Sequence, residues 1–119
     1  MKEKSILKEK SFLLGLKVSM ICKLLKEKKK QGTFYSQFSR AGTAVGALIA
    51  EAEFAQSRAD FINKLSVSLK EANETYYWLK MLNACGDLDD DLYEPLSQLL
   101  HEIISMLVVS VKTAKSNGM

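Results

Sequence analysis

The sequence predicts an all-α fold, an antiparallel up-and-down four-helix bundle forming a single domain over residues 1–119, and three observations predict it. The chain has one proline, Pro95, and few glycines, too little punctuation for the turns an all-β chain of this length needs. Four segments carry apolar residues at three- and four-residue spacing. Short stretches of stop and cap residues separate them: Gly32, Ser57, Gly86 and the acidic turn Asp87–Asp91. At 47% apolar and 26% charged, the composition is that of a globular chain with a packed core.

The first helix is expected from about Glu3 to Lys30, with Gly32 as its stop. Ile6, Leu13, Leu14, Ile21, Leu24 and Leu25 cover one broad face, while Lys8, Ser19, Lys23, Lys26, Glu27 and Lys30 gather on a polar strip. The second helix starts near Thr33 or Ser36 and continues to about Ala55. Its core positions are Phe38, Ala41 or Gly42, Val45, Leu48 or Ile49, and Ala52. From Phe38 to Phe54 only Arg40, Glu51 and Glu53 are charged, and Ala41, Gly42, Ala44, Gly46, Ala47, Ala50 and Ala52 are all small. Gly42 and Gly46 each cost roughly 1 kcal/mol of helix propensity relative to Ala, which close helix–helix approach offsets. This helix is therefore expected to sit deepest.

The third helix follows Ser57, where Ser57 and Asp60 stand at the spacing of a capping box. Phe61, Leu65, Leu69, Ala72, Tyr76, Leu79 and Leu82 form its inward stripe, and Gly86 terminates it. The fourth follows the acidic turn, which supplies N-cap candidates and first-turn negative charge, with Pro95 near its start. Leu92, Leu96, Leu99, Ile103, Met106 and Val111 face inward, and Ser116–Met119 read as a loose tail. Tyr77, Trp78 and Met81 lie beside the core stripe of helix 3, and helix 1 is apolar over more than one face. Such surplus marks a partner surface, and self-association is its expected use, with Tyr77, Trp78 and Met81 at the oligomer interface.

Charge is unevenly placed. Residues 1–30 hold ten lysines and three glutamates, a net +7, whereas the remainder carries a net −4. A basic helix on an acidic body suits a polyanion, RNA or DNA, with Lys8, Lys23, Lys26, Lys28, Lys29 and Lys30 as the phosphate-contacting candidates. No aromatic residue interleaves with them, so base stacking is not expected there. The alternatives are a solvated lysine face on a protein-interaction scaffold, and membrane attachment through helix 1. The last ranks lowest, because Lys10, Lys17 and Lys28 interrupt that helix's apolar surface. No segment has the ~18 uninterrupted apolar residues of a membrane span. Lys17 and Lys23 likewise break the apolar run that a signal peptide requires. A cytoplasmic protein with reduced thiols at Cys22 and Cys85 is the expectation.

Catalytic chemistry finds little to work with. A di-iron bundle needs two Glu-x-x-His motifs, and this chain has one histidine, His101, and none of those motifs. Neither cysteine has a neighbouring histidine or a helix N-terminus to activate it. Glu51, Glu71 and Glu74 are carboxylates without a nucleophile. Arg40 is expected to pair with one of these carboxylates between helices, with Arg40, Glu51 and Glu74 as the candidate structural ion-pair residues. No enzyme activity, metal or cofactor is expected.

One block is more specific. The string SQFSRAGTAVGALIAEAEFAQSRADFINKLSVSLKEANETYYWLKML resembles the bacterial "four helix bundle protein" family. That family includes proteins encoded by intervening sequences of large-subunit ribosomal RNA genes and the accessory variability protein of diversity-generating retroelements. The matching positions are Gln37, Arg40, Ala41, Ile49, Ala50, Glu51, Ala52, Ser57, Asp60, Phe61, Ile62, Lys70, Glu71, Asn73, Glu74, Tyr77, Trp78 and Leu79. Leu48 departs from the pattern, where relatives commonly carry Asn. The resemblance implies an up-and-down bundle assembling as a homopentamer. In the retroelement branch it also implies binding to a reverse transcriptase and to nucleic acid.

Overall fold

A computed structural model describes residues 2–30 and 33–117. Four helices follow one another: α1 (Lys2–Glu27), α2 (Thr33–Ala52), α3 (Arg58–Ala84) and α4 (Asp90–Asn117). Each packs on its neighbours in sequence and α4 returns to α1, with the α1–α4 seam the most sparsely packed. The bundle measures 50 × 22 × 19 Å, a shape set by helices lying side by side. Short connections force the antiparallel course. Contacts between opposite ends of the chain show it: Lys30 meets Asp87 at one end of the bundle, and Arg58 meets Asn117 at the other.

The local signals explain the boundaries. Ser57 adopts an extended conformation and its hydroxyl accepts the Asp60 N–H at 3.0 Å. The Asp60 carboxylate accepts the N–H of Gln56, one residue before the cap. Gly86 has φ +84°, and the bonds from Gly86 N–H to Asn83 O (3.1 Å) and Asp87 N–H to Leu82 O (3.0 Å) complete a Schellman motif. α1 ends in the same way, but on a different residue from the expected Gly32, which lies outside the described residues. Lys29 takes the left-handed position (φ 60°), with Lys29 N–H on Lys26 O (3.0 Å) and Lys30 N–H on Leu25 O (2.9 Å). The stop is a lysine.

Pro95 falls sixth in α4, past the first turn, so the helix forgoes one backbone bond at Asp91. Asp91 is exposed, and water can serve its carbonyl. Ser116 and Asn117 remain helical rather than forming a loose tail. Gly118 and Met119 lie outside the described residues.

The core contains Leu14, Val18, Phe38, Val45, Ala72, Leu79, Leu82, Leu100, Ile103 and Leu107, all inaccessible to solvent. α2 buries Phe38, Ala41, Gly42, Val45, Ile49 and Ala52, the expected face. α1 follows the expectation only at Leu14, Ile21 and Leu25. Its buried line is Leu7, Ser11, Leu14, Val18, Ile21 and Leu25, while Ile6 and Leu13 are exposed. The helix has two apolar faces, and the core takes the one carrying Val18 and the small Ser11, which lets α2 approach. Leu92 is also exposed rather than inward. α3 buries two polar residues that an apolar stripe does not reveal. Ser68 donates to the Val45 carbonyl of α2 at 2.9 Å and Thr75 to Glu71 O at 2.7 Å, so neither hydroxyl is left unpaired in the interior.

Candidate interaction surfaces

The six lysines do not form one site. Lys8 lies near the opposite end of α1 from Lys28, about 30 Å away at the rise of an α-helix, and pairs with Glu53 at 2.7 Å. Lys23 and Lys26 point outward from the last turns of α1, and Lys28 and Lys29 stand on the Schellman turn, all four exposed. They make no ion pair among the described residues. Lys30 instead reaches Asp87 at 3.3 Å, so the basic end of α1 sits beside the acidic α3–α4 turn. The charge asymmetry along the sequence is partly cancelled in space.

Asp87 organises that end. The Tyr35 hydroxyl at the start of α2 donates to its carboxylate, and the Cys85 thiol lies 3.4 Å from it. The hydrogen bond to Asp87, with some burial, pushes the Tyr35 phenol up to about 12. The same bond, more than Lys30, holds the Asp87 carboxyl below its usual range. Tyr35, Lys30 and Asp87 thereby pin three helix ends together.

A polar cluster occupies the α2–α3 seam. The Arg40 guanidinium donates to Glu71 Oε1 at 3.1 Å, to Glu74 Oε2 at 2.5 Å and, through Nε, to Gln37 Oε1 at 3.1 Å. Glu51 is not part of this set. One residue short of the end of α2, it faces Lys64 at 3.6 Å, three turns from Arg40 along the helix. The Trp78 indole donates to Glu74 at 3.0 Å, which together with Arg40 lowers the Glu74 pKa. Gln37, Arg40, Glu71, Glu74 and Trp78, scattered in the resembling block, thus share one surface.

The three expected interface residues on α3 separate. Tyr77 and Met81 are exposed, whereas Trp78 is half-buried, stacked on Phe34 with ring centroids 6.0 Å apart. A larger apolar surface lies on α1, directly opposite its buried line: Phe12 is 69% and Met20 68% exposed, with Leu13 and Leu16 between them. The breadth of apolar residues around helix 1 signalled this surface, but the sequence did not reveal which of the two faces pointed out.

His101 is exposed, its ring edge-on to Tyr76, and no cluster of potential metal ligands occurs among the described residues. Burial raises the Cys22 pKa, opposite to the direction a nucleophile needs. No helix among those described is long and apolar enough to cross a membrane.

A solved structure with TM-score 0.88 and 40% identity covers 92% of this chain and 98% of its own. It is a protein of unknown function from the S23 ribosomal protein family of Bacteroides thetaiotaomicron VPI-5482. No curated protein matches. The model of the 23S rRNA-intervening sequence protein family matches residues 3–109. With that match spanning all four helices, the chain belongs to the 23S rRNA-intervening sequence protein family.

Proposed function

We propose that this chain is a non-catalytic bundle protein that assembles with copies of itself through the outward face of α1 and presents its lysines to RNA or DNA. The observation that carries the reading is the exposed line Phe12, Leu13, Leu16 and Met20 on a helix whose other face is already in the core. Fully burying a side chain of this size is worth about 1.5–3 kcal/mol; these four are part-exposed and recover only a fraction each, yet together they favour association. A homopentamer is the stoichiometry the family resemblance suggests. Repetition of Lys23, Lys26, Lys28 and Lys29 around such an assembly would give phosphate contacts by avidity, although each chain offers few. In the retroelement branch a reverse transcriptase is the corresponding protein partner.

The test is mass in solution by light scattering. The wild-type chain is expected at a multiple of 13.3 kDa, and Phe12→Glu combined with Met20→Glu at the monomer mass with helicity retained. A monomeric wild type at high concentration would sink the assembly. Polyanion binding is read separately, by RNA anisotropy against salt, where Lys28→Glu, Lys29→Glu and Lys30→Glu together should flatten the slope of log affinity on log salt.

A second reading, a scaffold without nucleic-acid binding, draws on the acidic turn. Asp89, Asp90 and Asp91 are exposed at the same end as the lysines, so that end is mixed in sign. Absence of RNA binding even at low salt would select it.

A further inference from the structure

We infer that the cavity at the N-terminal end of α1 is a binding site for a single-chain anionic amphiphile, a medium-chain aliphatic carboxylate. The cavity has a volume of about 620 Å³ and lies at the sparsely packed α1–α4 seam, lined also by the end of α2 and the start of α3. That volume is within the range of small-molecule sites. Leu7, Ile49, Phe61, Leu65 and Met106 form its apolar walls, three of them buried in the core and two partly buried against it. The cavity is half-open to solvent, and its apolar walls lack the contacts that close packing would supply. Val109, 61% exposed, carries the apolar surface out to the mouth, the path an aliphatic tail needs.

The rim decides the head group. Arg58 and Lys8 stand there with one carboxylate, Glu53, a net of one positive charge. The Arg58 guanidinium donates to the Asn117 carbonyl at 3.0 Å, its one bond among the described residues from a group with five donors. Its fork remains suited to a carboxylate, at the first residue of α3 where the helix dipole is also positive. Lys8 holds Glu53 at 2.7 Å, and a ligand carboxylate would compete for the same ammonium. A cationic head meets Arg58 unfavourably.

Titration calorimetry with dodecanoate, kept below its micelle concentration, tests the site against the full-length protein. Saturable binding of one molecule per chain is expected, with dodecyltrimethylammonium, which has the same tail, binding at least tenfold more weakly. Arg58→Glu should weaken dodecanoate about tenfold while circular dichroism shows the fold intact, because an acidic residue is welcome in a first helical turn. Val109→Asp should weaken it as well, and anionic phospholipid vesicles should not bind through this site. Phe12→Glu should leave the affinity unchanged, which separates this inference from self-association through α1. Equal affinity for both head groups, an Arg58→Glu variant that binds normally, loss of binding in Phe12→Glu, or no binding at all would each overturn it.

Discussion

A Cβ atom on Gly46 would stand 3.0 Å from the backbone carbonyl oxygen of Ser11, so α1 and α2 touch main chain to side-chain position at that crossing. One turn earlier, a Cβ on Gly42 would lie 2.7 Å from Val18 Cγ2, and Val18 is wholly buried. These two glycines cost helix propensity and return it as close packing. Gly46→Ala is expected to destabilise the fold by about 1–3 kcal/mol, since backbone must move. Gly15, on α1, has nothing within 4 Å of the equivalent position. Gly15→Ala should therefore stabilise by up to about 1 kcal/mol through propensity alone. Urea denaturation of both variants checks the contrast; a destabilised Gly15→Ala alongside a neutral Gly46→Ala would contradict it.

Lys29 holds a left-handed conformation that glycine adopts without strain. Lys29→Gly should raise stability by about 1 kcal/mol, visible as a higher thermal midpoint, because the Schellman bonds persist without the Cβ penalty. A lower midpoint would show that the lysine side chain contributes more than its backbone strain costs.

The Tyr35–Asp87 bond makes a signed prediction about alkaline stability. The phenol's pKa is raised in the folded state to about 12. The bond's contribution is therefore fully present below the unfolded tyrosine value, roughly 10, and is lost as pH rises through about 12. Asp87 gives the mirror image at acid pH: its depressed pKa contributes stability above the ordinary carboxylate value that disappears as pH falls through the folded one. Tyr35→Phe should flatten the alkaline limb of a stability–pH curve and leave most of the acid limb produced by other carboxylates. An unchanged alkaline limb would disprove the assignment.

Arg40 presents a case where geometry exceeds energy. Its guanidinium spans two carboxylates, yet the Arg40 side chain is 48% exposed. Solvent screening limits such pairs, so Arg40→Ala should cost no more than about 1 kcal/mol in denaturant midpoint analysis. A loss several times larger would indicate a packing role for the arginine stem along α2.

Trp78 stacks on Phe34 and bonds Glu74 within its own chain. Trp78→Glu is accordingly expected to lower the thermal midpoint of the bundle, by contrast with Phe12→Glu, which changes assembly and not folding. The sequence pattern placed Tyr77, Trp78 and Met81 together at an interface. Around α3, Trp78 stands about 100° from Tyr77 and about 60° from Met81, and the indole falls against Phe34 at the start of α2.

Much of the architecture was legible because the signals are local. Ser57 capping α3, Gly86 closing it and the phase of the Phe38–Ala52 stripe depend on residues a few positions apart, which a linear string records. The Arg40 partner was half legible. Glu74 and Glu71 lie opposite Arg40 only once the α2–α3 crossing is set, whereas Glu51 is kept away by the roughly three turns of α2 between them. The rotation of α1 was only partly legible: the expected Leu14, Ile21 and Leu25 are buried, but Ile6 and Leu13 are exposed. Both Ile6–Leu13–Leu24 and Leu7–Leu14–Val18–Leu25 satisfy helical spacing, and each is apolar enough to be a core.

The sequence by itself thus determined four helices, their order and most of their ends, because propensity, capping and turn chemistry act over a few residues. Which face of α1 points inward, that its lysines meet an acidic turn, and that a cavity opens beside Arg58 were decided only in the tertiary structure. Those features arise from contacts between residues far apart in the chain; for α1 they include the backbone approach at Gly42 and Gly46. Packing distinguishes between two apolar faces where periodicity cannot.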